Sequence, residues 1–483
     1  MRRQSVIKSL AFKFTERVIV KALGLIISIV LARLLAPEQF GLIAIVLVFI
    51  DLSQTFVQGG LNTALVQNKD TSEDDYSTVF YISLIVAIAL IGALWGVAPF
   101  IDKYYDNIGL VSPLRIYSFA LVFSAINSIQ VAKMQREMKF KQMMICTTVA
   151  TILSGCIGIF AAYNGCGIWA LIAYYFSNTI VSCITMLKYS DWRPKLVFSK
   201  KRAAVLYAYG WKMLVSSVLC SLYNNLRSLV IGKMFSQKQL GYYNRGQQFP
   251  DIIGNTLDVS IQSVMFPVLS SVQDDKLQVK ALLKKSIALG SYIIFPAMCG
   301  LAGIAQPLVS VLLTDKWLPC VIFLQIIAIG NTTIPLTSSN LVAIKSIGRS
   351  DVYMKLEIVR RIAMLMILAI SALVFKSVLV IAYGYVFSSF LDYLIIGYVT
   401  KKLIGYGILQ QIKGFWKSAV AAVIMFIVIR NFQYLHVSSI LILIIQVASG
   451  TFIYLIITKL LKSEELDSII TLIKSKFVSA TSK

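Results

Sequence analysis

The sequence predicts an all-α integral membrane protein of about 14 transmembrane helices, and three observations carry that prediction. Hydrophobic residues fill 58% of the 483 positions and charged residues only 14%, against roughly a quarter charged in a soluble domain. Apolar runs of about twenty residues recur along the whole chain, each long enough to cross ~30 Å of hydrocarbon. Basic residues gather in short connectors at alternate ends of those runs, as the positive-inside rule requires.

Taken in order, the N-terminus comes first. Arg2, Arg3, Lys8, Lys13 and Arg17 extend the basic region too far for a cleavable signal peptide. Val6, Ile7, Leu10, Ala11 and Phe14 recur at helical spacing, which predicts an amphipathic helix lying on the cytoplasmic face. Fourteen spans follow, near 18–36, 41–60, 78–100, 113–132, 143–163, 167–187, 204–232, 240–270, 286–305, 318–341, 356–375, 377–400, 414–430 and 437–458. An even number puts both termini on one side. With the N-terminus cytoplasmic, about 34 of the 46 Lys and Arg fall in inside segments and about 8 in outside ones. The reading is therefore a multi-pass membrane protein with both termini cytoplasmic. "KYSDWRPKLVFSKKR", residues 188–202, is the most basic connector and falls inside. The net charge of +24 thus belongs to membrane topology, and nucleic acid is not an expected partner.

No connector is long enough for a folded soluble domain, so function must reside in the helical bundle. Cys146, Cys156, Cys166, Cys183, Cys220, Cys299 and Cys320 sit mostly inside apolar runs with no CxxC pair and read as small buried hydrophobes. The single histidine, His436, has no ligand partners nearby, and neither a metal nor a cofactor is expected. The acidic "KDTSEDDYSTVF", 69–80, falls on the inside, where its acids are expected to cap the third helix at its positive end.

Residues 31–51 repeat at 231–251. In the ungapped register Gln39 meets Gln239, Gly41 meets Gly241, Phe49 meets Phe249, Asp51 meets Asp251, and Arg33 meets Lys233. Two hundred residues is six spans, so the repeat is parallel and relates two six-helix lobes about an axis along the membrane normal. The expected organisation is an N-lobe at 1–203, a C-lobe at 204–402, and two further helices with a cytoplasmic tail at 403–483. "LARLLAPEQFG" then reads as the outer hairpin between spans one and two. Pro37 suits the first turn of a helix and Glu38 its positive end. Arg33 and Lys233 read either as snorkelling cations at helix ends or as a paired positive gate at the outer mouth.

Charges inside the runs need a partner or a watery cavity, because each costs about 2.5–3.5 kcal/mol at the bilayer centre. Lys21 and Lys212 lie near cytoplasmic ends and suit snorkelling; Asp392 lies deep. Arg227 shares its span with Asn224 and Asn225. The eighth span carries Asn244, Arg245, Gln247, Gln248, Asp251, Asn255 and Asp258, with Gly246, Pro250 and Gly254. Such a helix should line a cavity rather than face lipid all round. Two readings stand: ion pairs of Arg227 or Arg245 with an aspartate that lock helices together, or a cationic cavity for an anionic substrate, where arginine's planar fork suits phosphate oxygens. Asp51, Gln54 and Gln58 occupy successive turns of the second span, followed by Asn62. They suit sugar hydroxyls, a coupling proton at Asp51, or interhelical hydrogen bonds. Asp251 and Asp258 join Asp51 as candidates for ion coupling.

"RLLAPEQFGLIAIVLVFIDLSQTFVQGGLNTALVQ" with the following "YSTVFYISL" resembles the opening of Wzx-type polysaccharide exporters. "LRSLVIGKMFSQKQLGYYNRGQQFPDIIGNTLDVSIQSVMFPVLS" is similar to the matching segment of the colanic-acid and teichuronic-acid exporter branch of the multidrug/oligosaccharidyl-lipid/polysaccharide exporter superfamily. The likeness runs to about residue 400. It implies a fourteen-helix flippase moving undecaprenyl-pyrophosphate-linked oligosaccharide units from the cytoplasmic to the periplasmic leaflet by alternating access, for surface polysaccharide synthesis. It also implies a polysaccharide polymerase and a chain-length regulator as partners beside the lipid bilayer. No fixed catalytic motif comes with the resemblance. A cation-coupled drug antiporter of the same superfamily would favour an acidic cavity, against which Arg227 and Arg245 argue. A peptidoglycan-precursor flippase is disfavoured by the branch. A membrane-embedded glycan polymerase or ligase would need a large outer loop that is not visible, so the chain is not expected to be an enzyme.

Overall fold

The computed structural model describes residues 3–467 and 471, apart from 59, 63, 64, 66–70, 435 and 436, with the side chains of 3–18, 201, 205 and 209 outside the description. His436 and the start of the acidic loop therefore lie outside the described residues. Among the described residues the chain is helical, without a strand. Twelve helical segments are long and apolar enough to cross a membrane. The expected first and eleventh spans are helical but are not among those twelve. The protein is a multi-pass α-helical membrane protein.

Two compact units divide the chain, Met1–Gly241 and Tyr242–Lys483. In the first, α1 (Arg3–Leu34) runs without a break through the segment expected to lie on the membrane surface and into the first span. It is followed by α2 (Pro37–Gln58), α3 (Glu73–Tyr104), α4 (Val111–Ser118), α5 (Ala120–Arg136), α6 (Phe140–Tyr163), α7 (Ile168–Tyr189) and α8 (Lys200–Met234). Pro37 opens α2, where its missing N–H costs nothing, and Glu38 stands in the first turn as the sequence predicts. Of the acids in the first turn of α3, Asp75 does cap it. Ser72 accepts from the Asp75 N–H while its own N–H donates to Asp75 Oδ2 at 2.8 Å, a reciprocal capping box.

Small residues bring these helices together, as expected where lipid supplies no hydrophobic drive. Gly155 of α6 lies under Ile27 of α1, and Gly158 lies against Tyr174 of α7. Asn178 of α7 donates to Ser154 of α6 at 3.1 Å. The basic connector after α7 is not loose. Trp192 is buried with Tyr76, Val79, Phe80 and Leu206, and the Lys195 and Ser199 N–H groups donate to Ser77 and Thr78 of α3. Arg202, in the first turn of α8, forks onto the buried Asp75 at 2.8 and 2.7 Å. Beside it Lys139 donates to Asp191 at 2.9 Å, and that bond holds the Asp191 carboxyl below the usual carboxylate range.

The second unit holds α9 (Gln237–Ser270) beyond its first turn, then α10 (Lys276–Gly303), α11 (Ala305–Leu313), α12 (Cys320–Asn331), α13 (Ile334–Ser346), α14 (Ser350–Leu373), α15 (Val378–Ile404), α16 (Ile408–Asn431) and α17 (Ser439–Leu460). One core lies among α10, α16 and α17, where Tyr292, Phe295, Met298, Met425, Ile429 and Tyr454 are buried together. Tyr454 Oη donates to the Tyr292 carbonyl at 2.9 Å, so the phenol is paired as a buried hydroxyl must be. A second core joins the end of α9 to α10, α13 and α15 through Leu269, Leu283, Ile287, Leu336 and Tyr393.

Candidate functional site

Polar side chains at membrane depth fall into two sets, one in each unit. In the first unit α2 carries Asp51 and Gln58 exposed and Gln54 half-buried. Among the described residues no donor reaches the Asp51 carboxylate; its backbone carbonyl accepts from Thr55. Asn62 lies beyond the end of α2 with a buried Oδ1 that has no partner among the described residues. On α8, Asn224 is exposed and Asn225 donates back to Ser221 at 3.0 Å. Arg227 is half-buried one turn further along. The first-unit set is thus open: its amides and its carboxylate are largely uncommitted.

Arg33 is exposed at the end of α1. Lys233 is held, its Nζ 3.1 and 3.2 Å from the Asp106 carboxylate and 4.9 Å from the centre of the Tyr104 ring. Tyr105 Oη adds a bond to the Leu229 carbonyl at 3.4 Å. With Arg202–Asp75 at its start, α8 is therefore fastened to the two ends of α3. Lys21 and Lys212 are exposed, which suits snorkelling.

The second-unit set is closed. Arg245 is only 4% exposed, its guanidinium 5.2 Å over the Trp317 ring and donating to Gln248 Oε1. A flat cation over an aromatic face, away from water, is held by the ring quadrupole as well as by its hydrogen bonds. The approach is made possible by Gly246, whose Cβ would meet the Cys320 carbonyl oxygen at 2.7 Å. One turn on, Asp251 accepts from Gln247 at 2.8 Å and from Asn331 of α12 at 3.2 Å, and Tyr385 of α15 in turn donates to Asn331. Asp258 accepts from Ser338 of α13 and from Gln262. Asn244 is half-buried and Asn255 exposed on the same helix. The polar stripe that singled out α9 is thus largely spent on α12, α13 and its own turns.

Asp392 proves to be half of an ion cluster. Arg360 of α14 reaches it at 2.6 Å and also bonds Glu357, which pairs with Arg361. In the sequence Asp392 stands out by its depth, and Arg360 does not. The available signal was an arginine and an aspartate buried in adjacent apolar runs, each too costly to leave alone. Among the described residues no group of three or more His, Cys, Asp or Glu is placed to hold a metal ion.

The family model described as "Polysaccharide biosynthesis protein" matches residues 30–322. The succinoglycan biosynthesis transport protein ExoT of Rhizobium meliloti (strain 1021) is 25% identical over 69% of this chain and 68% of its own length. The lipopolysaccharide biosynthesis protein WzxC of Escherichia coli (strain K12) is 25% identical over 68% of this chain and 67% of its own. Among solved structures, the lipid II flippase MurJ in its inward closed conformation superposes with a TM-score of 0.77 at 16% identity, over 94% of this chain and 98% of that one. The likeness to MurJ is one of fold. The chain belongs to the polysaccharide biosynthesis protein family.

Proposed function

From that family membership we propose that this protein translocates lipid-linked oligosaccharide units across the bacterial inner membrane for surface polysaccharide synthesis, with undecaprenyl pyrophosphate as the carrier. Both termini face the cytoplasm in this reading, and a polymerase and a chain-length regulator take up the product. The observation that carries it is the open polar face of the first unit. A glycan and a pyrophosphate cannot enter hydrocarbon without hydrated, hydrogen-bonding walls, and Asp51, Gln54, Gln58, Asn224, Asn225 and Arg227 offer such walls. Family names support the cargo: ExoT and WzxC are named for succinoglycan transport and lipopolysaccharide biosynthesis.

The role assignment is as follows. Arg227 meets the pyrophosphate, where guanidinium binds oxygen pairs in a fork, with Asn224 and Asn225 beside it. Asn244, Arg245 and Gln248 form the second cationic group. Asp51, Gln54 and Gln58 contact sugar or carry the coupling ion, a part also open to Asp251 and Asp258. Arg33 and Lys233 stand at the exit. No covalent bond is made or broken; the headgroup crosses by alternating exposure of one cavity to the two sides.

Gene deletion followed by analysis of lipid-linked glycan tests the function. Accumulation of cytoplasm-facing carrier-linked glycan, relieved by the parent gene, is expected; unchanged surface polysaccharide with no accumulation would overturn it. Arg227→Ala and Arg245→Lys, each at parental levels, test the cationic roles. If both transport like the parent, the pyrophosphate assignment is wrong.

A further inference from the structure

Near its end α3 carries Pro99, and a proline has no N–H to give the carbonyl one turn back. The carbonyl so freed is that of Trp95, and a backbone oxygen at membrane depth must find another donor. Arg115, one turn into α4, supplies it. Its Nε and Nη2 donate to the Trp95 carbonyl at 3.2 and 2.9 Å, and the guanidinium carbon lies 5.4 Å from the centre of the Trp95 ring. Among the described residues nothing else bonds that guanidinium, and no acid pairs with it.

The second unit meets the same problem without a charge. Pro296 of α10 frees the Tyr292 carbonyl, and the buried Tyr454 of α17 takes it through a neutral hydroxyl at 2.9 Å. A phenol is thus enough where only a carbonyl must be capped. The guanidinium of Arg115 adds a charge, and a charge beside hydrocarbon needs an anion or water. Its surroundings say which. Trp95, Phe100, Ile116 and Phe119 are exposed and all apolar, with Phe119 edge-on to Trp95 at 5.7 Å between ring centres. Exposed indole and phenyl rings near the end of a span face lipid at the level of its headgroups. The anion that level offers is the lipid phosphate, whose oxygens suit the arginine fork. Arg115 is already fixed by the carbonyl and the ring, so little freedom is lost when its Nη1 meets a phosphate.

We propose that Arg115 and Trp95 form a phospholipid-binding site at the end of α3, with the lipid phosphate on Arg115 and the acyl chains against Trp95, Ile116 and Phe119. The proline bend builds the site by freeing the carbonyl that holds the guanidinium in place. The site does not rest on the translocation reading above.

Native mass spectrometry of the detergent-purified protein with added phosphatidylglycerol tests the site. The parent is expected to hold phosphatidylglycerol about tenfold more tightly than Arg115→Ala does, the effect of losing one charge-assisted bond. Lys103→Gln, which removes an exposed cation from the same end of α3, is expected to bind like the parent. Equal binding by the parent and Arg115→Ala, or equal losses in the two variants, would overturn the site. So would equal retention of a diacylglycerol with the same chains, because the acyl chains alone would then account for binding. Pro99→Ala tests how the site is built, since it returns an N–H to the Trp95 carbonyl. Arg115→Ala is expected to lower the unfolding temperature of the parent clearly and that of Pro99→Ala far less; equal shifts would overturn the capping role. Should Arg115→Ala alone not fold, the lipid comparison is made in Pro99→Ala, where no carbonyl is left unpaired, and the same loss is expected there.

Discussion

Asp51 and Asp251 occupy the same position in the repeat, yet one is open and the other is clamped. Asp51 is exposed on α2 with no donor on its carboxylate among the described residues. Asp251 on α9 is half-buried and accepts from two amides, one of them 80 residues away on α12. The same contrast runs along both helices, because Gln54 and Gln58 carry no such clamp while Gln248 is bonded to Arg245. In this register the two aspartates coincide, whereas Asn244, Arg245, Gln247 and Gln248 of α9 fall opposite Ala44, Ile45, Leu47 and Val48 of α2. In this structure Arg245, Gln247, Gln248 and Asp251 of α9 are bonded within the second unit, whereas no bond to the side chains of Asp51, Gln54 or Gln58 of α2 is formed among the described residues.

The strongest way to break that contrast is to neutralise both carboxylates. Asp51→Asn is expected to lower transport by more than about tenfold at normal protein level, the scale of losing one charge-assisted bond. Asp251→Asn, whose partners are amides, is expected to keep most transport while lowering the unfolding temperature in detergent. A vesicle or in vivo flipping assay beside thermal unfolding reads both, and equal transport losses would end the division of labour.

A second test compares the arginines. Arg245→Ala removes a buried cation from Trp317 and Gln248 and is expected to destabilise the protein by about 2–4 kcal/mol. Arg227→Ala, on the open face, is expected to lower transport with little change in the same unfolding curve. If Arg245→Ala unfolds like the parent, the closed character of the second-unit set is wrong.

The smallest effect belongs to the outer cations. Lys233→Ala breaks an ion pair whose Asp106 partner is 77% exposed, so its cost to stability is expected to stay below about 1 kcal/mol. Raised salt should erase even that difference, because exposed pairs are screened. A larger, salt-insensitive loss would show that Lys233 does more than tie α8 to α3.

The helical character and the hairpin chemistry were legible in the residues, beside a repeat register that rests on the sequence alone. Four identities at a spacing of six spans, with Pro37 and Glu38 at a helix start, are local signals that need no knowledge of neighbours. Charge depth was legible too: Asp392 and Arg245 stood out because hydrocarbon penalises them wherever they point. What could not be read was the partner of each. Nothing in the order of residues says that Asn331 reaches Asp251, that Arg360 reaches Asp392, or that Arg202 forks onto Asp75 across 127 positions.

The sequence by itself determined a membrane-spanning helical chain and the positions where polarity departs from the hydrocarbon rule. Those follow from composition and period, which each segment expresses alone. Only the tertiary structure decided that α8, the first helix of the second repeat, is fastened to α3 at both ends, and that Gly41 and Gly241 lie on each other's helix. The reason is physical. Hydropathy and periodicity specify which face a helix hides, whereas the choice of what covers that face depends on the fit of small residues and the pairing of charges from distant segments.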